Sequence, residues 1–236
     1  MRKNIYKGKF VVFEGIDGSG KSTQAKLLIN RLKKEGFKTA FIDFPQYGKK
    51  SAGLVEEYLT GKYGSSEEVG PYLASIFYAC DRFDASFLIR DWLKERKIVI
   101  ADRYIGSNIG HQGGKIKNKK ERRKYFKWLY DLEYKIFKIP KPDLNIILKV
   151  NPEVAQNLTG KITDKKKMAK KRKYLGRKKD IHEENLTHLK NTEKAYLHVA
   201  AKFPKDFRVI DCFQNGKLFP PEIIHKKILE IVKKIL

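Results

Sequence analysis

A stretch of eight residues near the amino terminus limits the folds open to this chain more than any other part of it. Residues 15–22 match the pattern G-x-x-x-x-G-K-[ST] at every defined position, between the apolar run 10–13 and an amphipathic helical pattern. In that setting the glycines let successive backbone N–H groups face one anion, and the helix adds its positive amino-terminal end. A glycine-rich turn that binds nothing would not need strand, loop and helix in register. The sequence therefore predicts a phosphate-binding loop.

Two residues of this loop carry the expected chemistry. Lys21 is expected to reach the β- and γ-phosphates of a nucleoside triphosphate, and the Ser22 hydroxyl is expected to bind Mg²⁺. The other predicted nucleotide contacts come from the loop and the residue that follows it: Gly15, Asp17, Gly18, Ser19, Gly20 and Thr23. Nucleotide binding is thus the first functional prediction.

Short apolar runs alternate with amphipathic helical stretches along the rest of the chain. The runs are rich in β-branched and aromatic residues, and they occupy residues 10–13, 39–44, 98–101, 144–150 and 207–210. One of the helical patterns consists of Tyr125, Trp128, Leu129, Leu132 and Ile136. Strands separated by helices favour a parallel sheet that binds ligands at its carboxyl edge. The sequence predicts one α/β domain over residues 1–236, a P-loop NTPase-type three-layer fold with a five-stranded parallel sheet and helices on both faces.

The charge of the chain indicates acidic partners. It has 52 Lys and Arg against 27 Asp and Glu, a formal net charge of +25, concentrated in the runs 115–124 and 161–179. Such runs resist burial, so both are expected to be loops or exposed helical faces.

Cys80 and Cys212 do not form a Cys-x-x-Cys pair, which argues against a zinc cage or a disulfide framework. With no long apolar run, we expect a soluble protein without a targeting segment or a membrane partner.

A carboxylate and a guanidinium follow the third apolar run directly. Asp102 and Arg103 would therefore lie at the carboxyl edge of the sheet, beside the phosphate loop. Asp102 suits the magnesium shell, and Arg103 suits a bidentate contact with a second phosphate. An isolated Asp-Arg pair is more often a surface ion pair, but a position after a buried strand favours a functional site.

Several motifs resemble those of one family. They are Phe13-Glu14-Gly15 before the loop, Cys80-Asp81-Arg82, Asp102-Arg103-Tyr104 followed by Ser107, Pro142-Asp143, and Asp180-Ile181-His182-Glu183. In order and spacing these resemble thymidylate kinases over nearly the whole chain. The resemblance implies transfer of the γ-phosphoryl group of ATP to dTMP with magnesium, in a cytoplasmic homodimer.

The resemblance also implies a set of acceptor contacts. Tyr78 would stack on the base and Arg82 would hydrogen-bond its edge, as an aromatic face and a fork of donors allow. Arg103 would hold the acceptor phosphate. The full predicted set of substrate contacts is Asp17, Tyr47, Tyr78, Arg82, Arg103, Ser107, Asn108 and His111. Residues 210–215 would border the adenine.

The chain departs from the family pattern at three places. Members commonly have an Arg soon after the second strand, whereas this chain has Gln46 and Tyr47. There Tyr47 could donate one hydrogen bond to the acceptor phosphate, and Lys49 or Lys50 could supply positive charge. His111 stands where Tyr or Phe is typical, near the deoxyribose. The lid, about residues 160–180, is longer and richer in Lys than usual. With Gly18 in the loop, a catalytic cation is expected from this lid, which offers Arg172 and Arg177, and Arg177 is the preferred prediction.

Two other functions stay open at the level of sequence. The first is the same chemistry on another deoxynucleoside monophosphate, which Tyr47 and His111 make credible. The second is a P-loop protein that binds nucleic acid through its basic runs. No nucleic-acid-binding module is evident, and aromatic residues are scarce within those runs, so the kinase is the preferred interpretation.

Overall fold

The computed structural model describes residues 4–159, 186–214 and 217–236. The strands of the central sheet are β1 (Lys9–Glu14), β2 (Thr39–Asp43), β3 (Ile98–Asp102), β4 (Leu144–Lys149) and β5 (Phe207–Asp211). All are parallel, in the order β2-β3-β1-β4-β5. A short antiparallel pair is formed by β6 (Phe213–Gln214) and β7 (Lys217–Leu218). The predicted strands and the predicted α/β fold class are confirmed, whereas the predicted lid at about 160–180 lies outside the described residues.

Helices connect the strands. They are α1 (Lys21–Lys34), α2 (Gly53–Leu59), α3 (Ser66–Lys94), α4 (Ile105–His111), α5 (Lys119–Tyr130), α6 (Pro152–Thr159), α7 (Leu186–Lys202) and α8 (Pro221–Val232). Short 3₁₀ turns occupy Lys50–Ala52 and Gly113–Lys115, and a π-helical segment, Asp131–Ile136, continues α5.

The core lies on both faces of the sheet because successive side chains of a strand point to opposite sides. On β1, Phe10 and Val12 join a cluster that includes residues of α3, α4, α5 and α7. Val11 and Phe13 join a second cluster with residues of α1 and α8. Burial on both faces is the reason that the strands have continuous apolar runs rather than alternating ones.

The register of the three neighbouring strands brings their carboxyl ends level. Phe13 of β1 and Asp43 of β2 are both opposite Asp102 of β3. The connection after β3 is held at this level, since the backbone N–H of Arg103 donates to the carbonyl of Phe13 at 2.8 Å. The loop after β1 and the residues after β3 therefore share one edge of the sheet.

The helix α3 begins with a capping box. The Ser65 hydroxyl accepts from the N–H of Glu68, and the Glu68 carboxylate accepts from the N–H of Ser65. The first turn is offset at Gly70, whose backbone is not helical, and Pro71 starts the long part of the helix. This long part carries Tyr78 and Arg82.

The π-helical segment corrects one sequence prediction. Helical spacing from Tyr125 places Leu132 and Ile136 on the buried face, but Ile136 is 68% exposed and Glu133 is fully buried. A π-helix adds a residue to the turn, which rotates the side chains that follow relative to an α-helical pattern. The prediction that Ile136 belongs to the buried face is wrong for this reason.

The helix α4 packs closely against a side chain of α7. A Cβ atom at Gly110 would lie 2.5 Å from a ring carbon of Tyr196, so only glycine fits at this crossing. The ring of Tyr196 is buried and its hydroxyl donates to Glu14 at 2.9 Å. This contact holds α7 against the site residues of α4.

Candidate active site

The phosphate loop connects the buried strand β1 to α1 through a left-handed turn. Gly20, the residue that caps α1, has φ of 86°, a conformation that favours glycine. No side chain caps this helix end, and its first turn contains no acidic residue. The N–H groups of the first turn and the positive end of the helix dipole therefore face the loop, the arrangement that binds phosphate.

Lys21 lies over the loop rather than in solvent. Its ammonium donates to the carbonyl oxygens of Gly15 at 3.1 Å and Ile16 at 2.8 Å, and to Ser19 Oγ at 3.4 Å. The residue is 5% exposed. A positive charge is thus held within the curve of the loop, next to the predicted contacts Gly15 and Ser19. Of the other predicted loop contacts, Asp17 and Gly18 are half-buried and Thr23 is exposed at the start of α1.

The two predicted magnesium ligands are in contact. Ser22 Oγ donates to Asp102 Oδ2 at 2.5 Å, although the residues are 80 positions apart in sequence. A hydroxyl and a carboxylate are hard oxygen ligands, and Mg²⁺ is usually bound by one or two such groups together with substrate phosphates and water. The donor set therefore fits Mg²⁺. In the ranges that the structure describes, no cluster of three or more His, Cys, Asp or Glu side chains offers another metal site.

Arg103 is hydrogen-bonded to several groups of the site. Its Nη2 donates to Asp17 Oδ1 at 2.6 Å, and its Nη1 donates to Ser107 Oγ at 3.1 Å and to the Gly15 carbonyl at 3.3 Å. Its φ of 74° lies in the left-handed region, a strained conformation for arginine that is found most often at functional sites. Burial opposes the charge, but Asp17 and the other anionic neighbours more than offset it and raise the pKa of Arg103.

A carboxylate that the sequence reasoning did not assign supports this region. Glu14 is fully buried and accepts hydrogen bonds from Ser107 Oγ at 2.7 Å, from the N–H of Tyr104 at 2.9 Å and from the hydroxyl of Tyr196 at 2.9 Å. Burial raises the pKa of Glu14, and the hydrogen bond from Ser107 opposes this effect. The signal in the sequence is an acidic residue at the end of an otherwise apolar strand.

Two predicted acceptor contacts, Tyr47 and Tyr78, lie on one small apolar cluster. Both pack against the cluster that includes Tyr58 and Phe77. The rings of Tyr58 and Tyr78 meet edge to face, with centroids 6.4 Å apart. Tyr78 is only partly buried, so one side of this cluster presents an aromatic surface at the carboxyl edge.

Arg82, the predicted contact of the base edge, is engaged in a buried ion pair. Its Nε and Nη2 donate to the two carboxylate oxygens of Glu133 at 2.7 and 2.6 Å, and both side chains are at most 2% exposed. A contact with a base would therefore have to come from Nη1. Glu133 is the second residue that the sequence reasoning did not assign, because the π-helix turns it inwards.

Asn108 is likewise hydrogen-bonded inside the protein. Its Nδ2 donates to the carbonyl of Ser75 at 3.2 Å, which ties α4 to α3. The Asn108 carbonyl accepts from the hydroxyl of Tyr125 at 3.1 Å. The amide oxygen Oδ1 is the atom of the Asn108 side chain that is not used by this bond to α3.

His111 adjoins Arg103 on one side and a second histidine on the other. Its Nε2 is 3.0 Å from Arg103 Nη1, and its Nδ1 is 3.1 Å from Nε2 of His188 on α7. Burial and the nearby charge of Lys115 lower the pKa of His188 to about 4. His188 is the third residue missed by the sequence reasoning, since it follows no motif and is brought here by the packing of α7.

The structure thus collects most of the predicted residues at one edge of the sheet. The loop residues, Asp102, Arg103, Ser107 and His111 form one connected set, and Tyr47 and Tyr78 form a second. Arg177 lies outside the described residues, as does Asn215 of the segment predicted to border the adenine. The preceding residues Cys212 to Gln214 continue from the carboxyl end of β5, where the N–H of Cys212 donates to the carbonyl of Lys149.

Comparisons with known proteins point to one family. The family model described as thymidylate kinase matches residues 13–223. The chain is 30% identical over 232 residues to a thymidylate kinase of Thermoanaerobacter pseudethanolicus, covering 98% of this chain and 100% of the relative. It is 29% identical over 228 residues to a probable thymidylate kinase of Methanosarcina barkeri, covering 97% and 99%.

A solved structure gives the same result. The chain is similar to a thymidylate kinase from Candida albicans, described as having a broad substrate specificity, with a TM-score of 0.70 and 25% identity. The similarity covers 96% of this chain and 92% of the fungal one. The family model, the curated relatives and the solved structure all point the same way, and the chain belongs to the thymidylate kinase family.

Proposed function

We propose that this protein transfers the γ-phosphoryl group of ATP to dTMP and releases dTDP and ADP. The observation that carries the proposal is the meeting of two phosphate-binding features at one edge of the sheet. Lys21 and the loop amides form the first, and Arg103 forms the second, with Gly15 in contact with both cations. A donor phosphate and an acceptor phosphate can therefore lie side by side.

On the donor side, the loop from Gly15 to Ser22 and the exposed Thr23 are proposed to contact ATP. Lys21 would exchange carbonyl contacts for phosphate oxygens and neutralise charge between the β- and γ-phosphates. Ser22 and Asp102 would hold Mg²⁺, which supplies further charge neutralisation when bound. Residues 210–215 are proposed to border the adenine, since the segment begins at the carboxyl end of β5.

On the acceptor side, Arg103 is proposed to bind the phosphate of dTMP and, with Asp17, Ser107 and His111, to fix the phosphate and sugar. A phosphate acceptor is already anionic near neutral pH, so the reaction needs no general base. Its barrier is lowered by alignment of the two phosphates and by positive charge around them. Arg177 of the lid is proposed as an additional cation that approaches the transferred group.

At the base end, Tyr78 is proposed to stack on thymine. Tyr47, which packs on the same cluster, is proposed to donate to the acceptor phosphate. Arg82 would reach the base edge through Nη1, while its other nitrogens keep the bond to Glu133. Asn108 would use Oδ1 to accept from the base imide N–H, since its Nδ2 is bonded to Ser75.

We also propose that the protein is a homodimer. The outer face of α3 presents a stripe of apolar side chains at helical spacing: Leu73, Ile76, Phe83 and Phe87, which are 36 to 56% exposed. A contiguous apolar face of this kind is a common site of association between copies of one chain.

Cys80 and Cys212 are free thiols, which fits the proposed cytoplasmic location. Across the described residues, no helix has the length and apolar character needed to span a membrane.

Steady-state rates with ATP and Mg²⁺ across dTMP, dUMP, dCMP, dGMP and UMP test the function. We expect the highest kcat/KM with dTMP. A tenfold preference for another acceptor would replace dTMP as the substrate, an outcome that Gln46-Tyr47 and His111 make relevant. Absence of transfer to any mononucleotide, with retention on DNA at physiological salt, would favour nucleic-acid binding through the exposed cations of α5 instead.

A further inference from the structure

Two imidazoles lie in line behind the guanidinium of Arg103. Arg103 Nη1 is 3.0 Å from His111 Nε2, and His111 Nδ1 is 3.1 Å from His188 Nε2. The imidazole rings have centroids 5.4 Å apart. The set joins three parts of the fold, namely the residue after β3, the last residue of α4 and the first turn of α7.

The chemistry of the groups fixes the direction of these bonds. A guanidinium can only donate, so the nitrogen of His111 that faces Arg103 must be the unprotonated acceptor. The proton of neutral His111 is then on Nδ1, from which it is donated to His188 Nε2. This in turn requires an unprotonated Nε2 on His188. Burial and Lys115 keep His188 neutral near pH 7, which agrees with this requirement.

The packing of α7 prevents His188 from withdrawing. Gly110, next to His111, lies against the ring of Tyr196, and Tyr196 is anchored through its hydroxyl to Glu14. The ring of His111 also meets Tyr196 edge to face, with centroids 6.4 Å apart. The distance between α4 and α7 is therefore set by contacts other than the histidine pair. This spacing of the helices in turn fixes the distance between His111 and His188.

We propose that His188 is a positioning residue for the acceptor phosphate, because it holds His111 in the tautomer that accepts from Arg103 and so orients the Arg103 guanidinium. The inference rests on the proposed function, in which Arg103 binds the phosphate of dTMP. Without an acceptor at His188, His111 loses the bond that keeps its proton on Nδ1. A proton on Nε2 would face the N–H of Arg103, and the two donors would repel each other. Arg103 would then lose one of the partners that define its orientation.

The test compares His188→Leu, which removes the acceptor, with His188→Gln, whose Oε1 can replace Nε2. We expect His188→Leu to raise the KM for dTMP about tenfold, because a tenfold change in affinity corresponds to about one hydrogen bond to a charged group. The KM for ATP should change less than about twofold. His188→Gln should restore the KM for dTMP to within about threefold of the wild type. His198→Leu, on the same helix but against Phe126, is the matched control.

A second comparison shows whether the effect passes through His111. In a His111→Phe background, His188→Leu should no longer alter the KM for dTMP, because a phenyl ring has no proton to place. Equal effects of Leu and Gln at residue 188, or an undiminished effect in the His111→Phe background, would overturn the inference. If His188→Leu does not fold, ¹⁵N NMR of the wild type decides: His111 protonated on Nδ1 supports the proposal, and protonation on Nε2 rejects it.

Failure of the inference and failure of the proposed function give different results. Arg103→Gln should raise the KM for dTMP about 100-fold or more if Arg103 binds the acceptor phosphate. An unchanged KM for dTMP in that variant would reject the acceptor site itself. A large effect of Arg103→Gln together with a silent His188→Leu would reject only the role of His188.

Discussion

At the phosphate end of the site the polar groups come from the end of β3 and from the loop and helix that follow β1, whereas at the base end they come from the middle of α3 and α4. Asp102 is the last residue of β3 and Arg103 follows it, and Lys21 and Ser22 begin α1 after the loop that follows β1. Arg82 is bonded to the buried Glu133, and Asn108 to the backbone of α3. The polar groups of the phosphate end are thus placed by their positions at or after the ends of two strands, and those of the base end also form contacts that hold the protein together.

The largest expected effect concerns the phosphate end. We expect Lys21→Ala to lower kcat by about 10³-fold or more, because the cation at the transferred phosphoryl group is lost. The thermal unfolding midpoint should stay close to that of the wild type. Lys33→Ala, at the exposed end of α1, should leave kcat unchanged. Wild-type turnover in Lys21→Ala would remove the basis for the assigned loop chemistry.

The second effect tests whether the base end is structural. Glu133→Ala leaves Arg82 as an unpaired buried charge, so the free energy of unfolding should fall by about 3–5 kcal/mol. Chemical denaturation measures this change. The control is Glu121→Ala, whose ion pair with Lys124 is exposed and should contribute less than about 1 kcal/mol. Similar stability of the two variants would mean that the Arg82–Glu133 pair does not hold the base end, and the contrast between the two ends would fail.

A smaller effect is expected at Glu14, where the phosphate end also depends on a buried group. In Glu14→Gln, an NH₂ group would face donors now bound by a carboxylate, and we expect a loss of about 1–3 kcal/mol of unfolding free energy. For a chain of this length that corresponds to about 2–4 °C in unfolding midpoint per kcal/mol. Glu153→Gln, in an exposed pair with Lys190, is the control. A midpoint equal to that of the control would show that the Glu14 network contributes little to this end.

The smallest effect is a dependence of stability on pH at His188. Its folded-state pKa of about 4 lies below the ordinary value of 6.5, so the unfolded chain binds the proton more readily. The contribution of neutral His188 is complete above about pH 6.5 and is lost as the pH falls towards 4. Because His188 is partly exposed, we expect the free energy of unfolding to fall by only about 1–2 kcal/mol through this change. The free energy of unfolding, measured by denaturation at pH 7 and pH 4.5, should differ less between the two pH values in His188→Gln than in the wild type. An identical difference in both proteins would contradict the lowered pKa of His188.

The sequence was sufficient to predict the features that depend on residues close together in the chain. Residues 15–22 predict the loop, and the five apolar runs predict the parallel sheet, because each pattern spans one strand or one turn. Glu14, Glu133 and His188 could not be assigned in this way. Glu133 is turned inwards by a π-helix that has no simple periodicity, and His188 reaches His111 only because α7 packs on α4. Roles that depend on two distant elements require the tertiary structure.

The crossing at Gly110 has a consequence for variation of this chain. Gly110 has no side chain with which to contact a ligand, yet even one methyl group there would collide with the ring of Tyr196 and push α4 away from α7. A deep mutational scan under selection for growth should therefore find position 110 as intolerant as the phosphate loop. Substitutions at position 110 would then fail because they change the spacing of two helices, and not because they remove a contact with a nucleotide.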